Sequence, residues 1–209
     1  MTDQTAAPAA LLRAALSADD SSDRLQAALT AGTRPDEAYL EPLLDRCAVE
    51  PDFYVRDMLT WALTRLPRES VLPRVVAETR SGAPQARSQA LHTLSKLGDE
   101  RAWPAITAMH LHDPDVEVAR AAWRTAAGLA PEAERGALAR ELAVEFGRGD
   151  IDAMRSLSRA FVMLGEAAAV PVLEAAALER EDGGLAARHA RATLRLIEDP
   201  DAAFALDPA

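Results

Sequence analysis

The chain has 209 residues, 49% of them hydrophobic but only 4% aromatic, with one cysteine and a formal net charge of −10. The single thiol, Cys47, excludes an internal disulfide and a cysteine-based zinc site, and the acidic balance weighs against global adhesion to nucleic acid or to an anionic membrane. No apolar run approaches the roughly 18 residues of a spanning helix, and Met1 to Pro8 carry neither a basic n-region nor an apolar h-region, so a cytoplasmic protein without a membrane segment is expected.

Residues 1–8 read as disordered. Leu11, Leu12 and Leu16, a polar turn from Asp19 to Asp23, and Leu25, Ala28 and Leu29 then read as an N-terminal capping pair of helices. In the first full repeat Tyr39, Leu40, Leu43, Leu44 and Cys47 recur at helical spacing. Glu50-Pro51-Asp52 breaks that helix, and Val55, Met58, Leu59, Ala62, Leu63 and Leu66 form its partner, which Pro67 stops. The plan repeats with Val71, Leu72, Val75 and Val76, a turn at Ser81-Gly82-Ala83-Pro84, and Ala86, Ala90, Leu91, Leu94 and Leu97 ended by Gly98. A third pair uses Ala102, Ile106 and Met109, then Asp113-Pro114-Asp115, then Val118, Ala122, Ala126 and Leu129. A fourth uses Leu138, Leu142 and Phe146, then Gly149-Asp150, then Met154, Leu157, Phe161 and Leu164. A fifth uses Val170, Val172, Leu173 and Leu178, then Asp182-Gly183-Gly184, then Ala187, Ala190, Leu194 and Ile197. The acidic tail, residues 199–209, reads as loose.

Two marks recur at one period. Arg24, Arg56, Arg87, Arg120, Arg155 and Arg188 stand 32, 31, 33, 35 and 33 residues apart, and Pro42, Pro73, Pro104 and Pro171 stand 31, 31 and 67 apart. A repeat of this length built of helix pairs predicts an all-α solenoid over residues 9–198, a single domain of five helix-pair repeats after the capping pair. The prolines fall early in each first helix, where a missing donor is tolerated or bends the helix. An early proline, an Asp or Gly turn and a second helix of the form V-R-x-x-A-x-x-A-L-x-x-L resemble HEAT-like repeats. Val55-Arg56 through Leu66 is the best match, and Ala86-Arg87 through Gly98 the next. The resemblance covers residues 36–198 and implies a right-handed α-α superhelix whose second helices line the concave wall. In repeats three to five the arginine falls one residue later against the apolar register.

The recurrent arginine has two readings. In one it is structural: Asp52, Asp115, Asp152 and Asp182 cap second helices and pair with Arg56, Arg120, Arg155 and Arg188, a ladder for which HEAT-like families are known. In the other it belongs to a binding wall. The five second helices hold ten arginines and Lys96 against one acid, Asp57, a charge of +10, while the rest of the chain carries −20. Arg120 and Arg124, Arg155 and Arg159, and the series Arg188, Arg191 and Arg195 share helix faces. A basic groove inside an acidic shell is predicted, suited to an acidic protein or peptide. Aligning repeats on their closing leucine brings Trp61, His92, Arg124 and Arg159 to one position, and Tyr54, Asp57 and Trp61 share a face. The candidate partner-binding residues are thus Tyr54, Asp57, Trp61, His92, Arg120, Arg124, Arg155, Arg159, Arg191 and Arg195. Trp123 reads as core, Trp103 as packing between repeats, and Cys47 as a small buried apolar residue.

Catalytic and metal motifs are absent. There is no G-x-S-x-G, no P-loop and no G-x-G-x-x-G. His110 and His112 are two apart and fall on nearly opposite helix faces, so no metal site is expected, and the His-Glu pairs used by HEAT-like iron hydroxylases do not occur. The chain is therefore read as a non-enzymatic scaffold or adaptor with no cofactor. Two alternatives rest on resemblance. One is a nucleic-acid-binding protein related to alkylpurine DNA glycosylases, whose clefts combine Trp, Asp and Arg as Trp61, Asp57 and Arg124 would; the near absence of lysine departs from it. The other is a bilin-lyase-like protein, for which no reactive group stands out.

Overall fold

The structure, a computed structural model, describes residues 6–178, 184–199 and 204–206, which are helix or loop with no strand among them. The chain divides into two compact units, Met1–Gly98 and Asp99–Ala209, where one continuous domain over 9–198 is expected. Gly98, at φ 61°, closes the first unit in the left-handed conformation that glycine adopts at low cost.

The N-terminal unit contains three helical hairpins: α1 (Ala6–Leu16) with α2 (Ser21–Thr33), α3 (Leu40–Cys47) with α4 (Phe53–Thr64), and α5 (Arg68–Glu78) with α6 (Pro84–Leu97). The second helices α2, α4 and α6 pack side by side, and α1 packs on α3. Leu43, Leu59, Leu63, Val71, Val75, Leu91 and Leu94 are wholly buried between the layers, each contributing about 2 kcal/mol of transfer free energy. The helix starts inside the stretch expected to be disordered. Ala6, Ala7 and Pro8 already belong to α1, because a proline in the first turn gives up no intrahelical bond; residues 1–5 lie outside the described residues.

A one-period ladder of ion pairs does exist, but it runs along the first helices. Arg13 Nη2 lies 2.7 Å from Asp45 Oδ2, and Arg74 holds Glu41 in two bonds of 2.7 and 2.8 Å. The Glu41 carboxyl is held below its usual range by the Arg74 guanidinium. These pairs are half-exposed, so they fix spacing more than they stabilise.

The C-terminal unit follows the same plan with one irregularity. A 3-10 segment over Glu100–Ala105 and the single turn α7 (Ala108–Leu111) replace the expected first helix of the third repeat. Pro104 lies inside the 3-10 segment, where it can neither donate a bond nor fit an α-helical interior. Ala102 and Ile106 are buried as expected, but Met109 is exposed. Then come α8 (Val116–Leu129), α9 (Glu132–Ala143), α10 (Ile151–Leu164), α11 (Glu166–Leu178) and α12 (Leu185–Glu198). α8, α10 and α12 form one layer, while α9 packs on α11. Pro73 and Pro171 are each the sixth residue of a first helix, α5 and α11. Leu178, expected in the core, ends α11 exposed. Trp123 is wholly buried as expected, and its Nε1–H donates to Leu111 O at 2.9 Å.

Candidate functional site

Each second helix starts at a turn whose carbonyls need donors. In the N-terminal unit the recurrent arginine supplies them. Arg24, Arg56 and Arg87 are each the fourth residue of α2, α4 and α6. Each folds back over its own turn, and Nη1 donates to the carbonyls six and five residues earlier. The acceptors are Ala18 and Asp19 at 3.0 and 2.7 Å, Glu50 and Pro51 at 2.9 and 2.7 Å, and Ser81 and Gly82 at 2.9 and 3.2 Å. A cation near a helix N-terminus is disfavoured by the helix dipole; two charge-assisted bonds to carbonyls offset that.

The expected Asp/Arg ladder therefore takes another form. Asp52 and Asp115 cap α4 and α8 through their carboxylates, as expected. Asp150, not Asp152, caps α10. Asp182 lies outside the described residues. The Arg56 guanidinium goes to the carbonyls of Glu50 and Pro51 and not to the Asp52 carboxylate, whose capping oxygen already accepts the N–H groups of Tyr54 and Val55.

Glu50, which reads in the sequence only as part of a helix-breaking turn, is the hub of this unit. Its wholly buried carboxylate accepts Arg24 Nε and Nη2, both at 2.9 Å, Arg46 Nε at 2.6 Å, and the Asp52 backbone N–H at 2.9 Å. Burial alone would raise its pKa, but the two guanidinium groups and the N–H hold it at about 2. Gln85 Nε2 donates to Cys47 O and Glu50 O at 3.0 and 2.8 Å, tying the next hairpin to the same turn. The Cys47 thiol is buried, which pushes its pKa up to about 12.

In the C-terminal unit the register shifts. Arg120 and Arg155 are the fifth residues of α8 and α10, and buried Ala119 and Met154 take the fourth place. One residue turns a side chain by about 100°, so these arginines leave the turn and pair on the surface. Arg120 Nη1 meets Glu117 Oε1 at 2.7 Å, and Arg155 Nη1 meets Asp152 Oδ1 at 3.1 Å. In the fifth repeat Arg188 is again the fourth helical residue, but against the apolar register it falls late as Arg120 and Arg155 do: buried Ala190 follows it by two places, where Leu59 follows Arg56 by three. A different arginine serves the third turn: Arg148 donates through Nη2 to Asp113 O and through Nη1 to Glu145 at 2.7 Å. His112 bridges Glu145 and Glu141 at 2.6 and 2.7 Å; burial would lower its pKa, but the two carboxylates raise it above the ordinary value.

His189 closes the unit from inside. It is wholly buried, and its Nδ1 accepts the Gly147 N–H at 3.1 Å. Nε2 therefore carries the proton and donates to Met154 O at 3.0 Å, with Ser158 Oγ also at 3.0 Å. Burial lowers its pKa to about 4. The Phe146 and Phe204 rings stand edge-on to it, with centroids 5.1 and 5.7 Å away. Phe204 belongs to the tail expected to be loose, and Arg195 Nη2 bonds the next residue, Ala205 O, at 2.7 Å.

Against this frame the candidate residues separate. Tyr54 and Asp57 are exposed on α4. His92 Nε2 lies 4.0 Å from Asp57 Oδ1. Trp61 is half-buried, with its ring laid directly on Gly32 of α2. Arg191 donates to Ala177 O at 3.2 Å, and Arg195 is bonded to the tail segment. Arg124 and Arg159 differ from all of these. Both are exposed, and among the described residues neither has a hydrogen-bond or ion-pair partner. They also stand level on packed helices. Arg120 Nε reaches Ser156 Oγ at 3.3 Å, and a Cβ on Gly128 would meet the Met163 methyl at 3.4 Å. That register puts Arg124 midway between these contacts and opposite Arg159. Helix axes in contact lie about 8–10 Å apart, so the two guanidinium groups can serve one ligand. Glu50, Glu145, Gln85 and His112 carry no mark in the sequence as framework groups; the recurring acid-Pro-Asp turn, Glu50-Pro51-Asp52 and Asp113-Pro114-Asp115, is the signal that marks two of the turns.

Among the described residues no group of three or more His, Cys, Asp or Glu side chains is arranged to hold a metal, and no helix is long and apolar enough to cross a membrane. Residues 40–128 match the family model of HEAT repeats, the stretch from α3 to near the end of α8. The HEAT-like resemblance carried by the Val55-Arg56 and Ala86-Arg87 motifs is thus found by comparison as well. The chain is also similar to the structure of the complex of CpcE and CpcF of phycocyanin lyase from Nostoc sp. PCC7120, at 20% identity and a TM-score of 0.49, covering 90% of this chain and 76% of that one. It is similar to the crystal structure of an engineered protein at 19% identity and a TM-score of 0.43, covering 91% and 96%. No curated protein matches the sequence.

Proposed function

We propose that the protein is a non-enzymatic scaffold or adaptor that binds an acidic protein or peptide on the α8–α10 face of its C-terminal unit. The observation that carries this reading is the level pair Arg124 and Arg159, exposed and without partners among the described residues. Arg120 and Arg155 lie one turn earlier on the same face, each with one acid, Glu117 and Asp152. The face as a whole keeps two positive charges in excess, in a chain of net charge −10. Arginine pairs carboxylates in two-pronged geometry, and a local positive field attracts an acidic partner whatever the global charge.

The chemistry of the remaining groups supports the non-enzymatic part. Ser158 contacts a histidine nitrogen that already carries its proton, so His189 cannot accept one from the hydroxyl there. The Cys47 thiol is buried and held protonated to about pH 12.

Binding of fluorescent polyglutamate to the full chain tests the proposal. Binding that weakens with salt and is lost in Arg124→Glu/Arg159→Glu supports it. Binding of duplex DNA in preference to polyglutamate would overturn it in favour of a nucleic-acid reading.

A further inference from the structure

The arginine pair is continued by an apolar floor. Val162 and Met163 are 40% and 45% exposed, one turn beyond Arg159 on α10. Gly128 stands one turn beyond Arg124 on α8 and is itself exposed. Having no side chain, it lets the Met163 methyl lie against the α8 backbone there. On both helices the charged and the apolar positions are four residues apart, a rise of about 6 Å. The face is therefore cationic at one level and apolar at the next. Methionine is the side chain best able to reshape itself around a guest.

Resting on the acidic-partner reading, we infer that the ligand segment is an amphipathic helix that sets a pair of acidic side chains on Arg124 and Arg159 and, one turn along, a large apolar side chain on the floor formed by Gly128, Val162 and Met163. The helical form follows from what the face lacks. α8 and α10 satisfy their backbone groups within themselves, so the face offers no sheet edge to an extended peptide, whose N–H and C=O groups would lose water without compensation. A helix brings its own bonds satisfied, and two packed helices present a groove that accepts the ridge of a third.

The test uses the full chain and three probes: polyglutamate; a helical peptide of about 16 residues with two adjacent glutamates and a leucine four residues on; and the same peptide with alanine in place of that leucine. The leucine peptide is expected to bind about tenfold or more tighter than the alanine peptide, and to lose that increment when a central proline breaks its helix. Met163→Gln removes the increment while leaving polyglutamate binding unchanged. Gly128→Gln does the same, and its fold is secure because glutamine is the better helix former. Equal binding of the two peptides, or an increment that survives both substitutions, overturns the inference. If polyglutamate still binds in that case, the acidic-partner reading stands without it; if polyglutamate fails as well, both fall.

Discussion

Arg24 and Glu50 form a two-bonded ion pair, 2.9 Å in each arm, with both side chains out of solvent. It joins the second helix of the capping pair to the turn between α3 and α4, 26 residues away. Glu50→Gln is expected to cost about 3–5 kcal/mol, because it leaves the Arg24 and Arg46 charges facing a neutral group. Arg24→Met/Glu50→Gln should recover part of that loss. Denaturant unfolding checks both. Because the Glu50 carboxyl is depressed in the folded state to about 2, its contribution is fully present above its ordinary value of 4.5 and is lost as pH falls from there toward 2.

The turn-clamping arginines and the exposed ones should separate by mutation. Arg56→Met and Arg87→Met each remove two bonds to turn carbonyls and should cost about 1–2 kcal/mol. Arg124→Met and Arg159→Met should change stability by no more than about 0.5 kcal/mol. Equal costs at all four positions would contradict the division between framework and face.

Gly32 is held small by Trp61. A Cβ at Gly32 would overlap the Trp61 ring carbons Cζ3 and Cε3. Gly32→Ala should therefore destabilise by about 1–3 kcal/mol, although alanine gains about 1 kcal/mol in helix propensity. Trp61→Leu in the same chain should relieve the clash and reverse the sign of the glycine substitution.

The pKa values of the two framework histidines are displaced in opposite directions. His189, lowered by burial to about 4, stays neutral below the usual range. Its stabilisation is present above pH 6.5 and is lost as pH falls from 6.5 to 4. His112 is raised by Glu145 and Glu141, so its contribution is complete below pH 6.5 and is lost as pH rises through its folded pKa. Ring-proton NMR titration distinguishes them, and His189→Gln should flatten the fall in stability between pH 6.5 and 4.

The helices were legible in the sequence because apolar residues recur every three or four positions and Pro, Gly and Asp mark the turns. The 31–35-residue arginine period was legible too, but its meaning depended on helical phase. At the fourth residue, in Arg56, the side chain meets the turn; at the fifth, in Arg155, it meets solvent and Asp152. One residue decides the role, and a period cannot resolve one residue. Glu50 was hidden because a buried carboxylate and a breaker of helices look alike in a Glu-Pro-Asp string. Trp61 faces α2 rather than solvent because Gly32, one repeat earlier, makes room for it. Arg191 and Arg195 continue the arginine series, but their guanidinium groups are engaged: Arg191 is half-buried and donates to Ala177 O, and exposed Arg195 donates to Ala205 O of the tail segment.

The most direct test of the central claim is the affinity of the full chain for polyglutamate, measured at low and at physiological salt, in wild type, Arg124→Glu/Arg159→Glu and the control Arg34→Glu/Arg140→Glu, which reverses two exposed arginines that belong to neither α8 nor α10. The account predicts salt-sensitive binding that the first variant loses by at least about tenfold and the control retains to within about threefold. Equal loss in both variants would show that only net charge matters, and undiminished binding in Arg124→Glu/Arg159→Glu would contradict the assignment of this face.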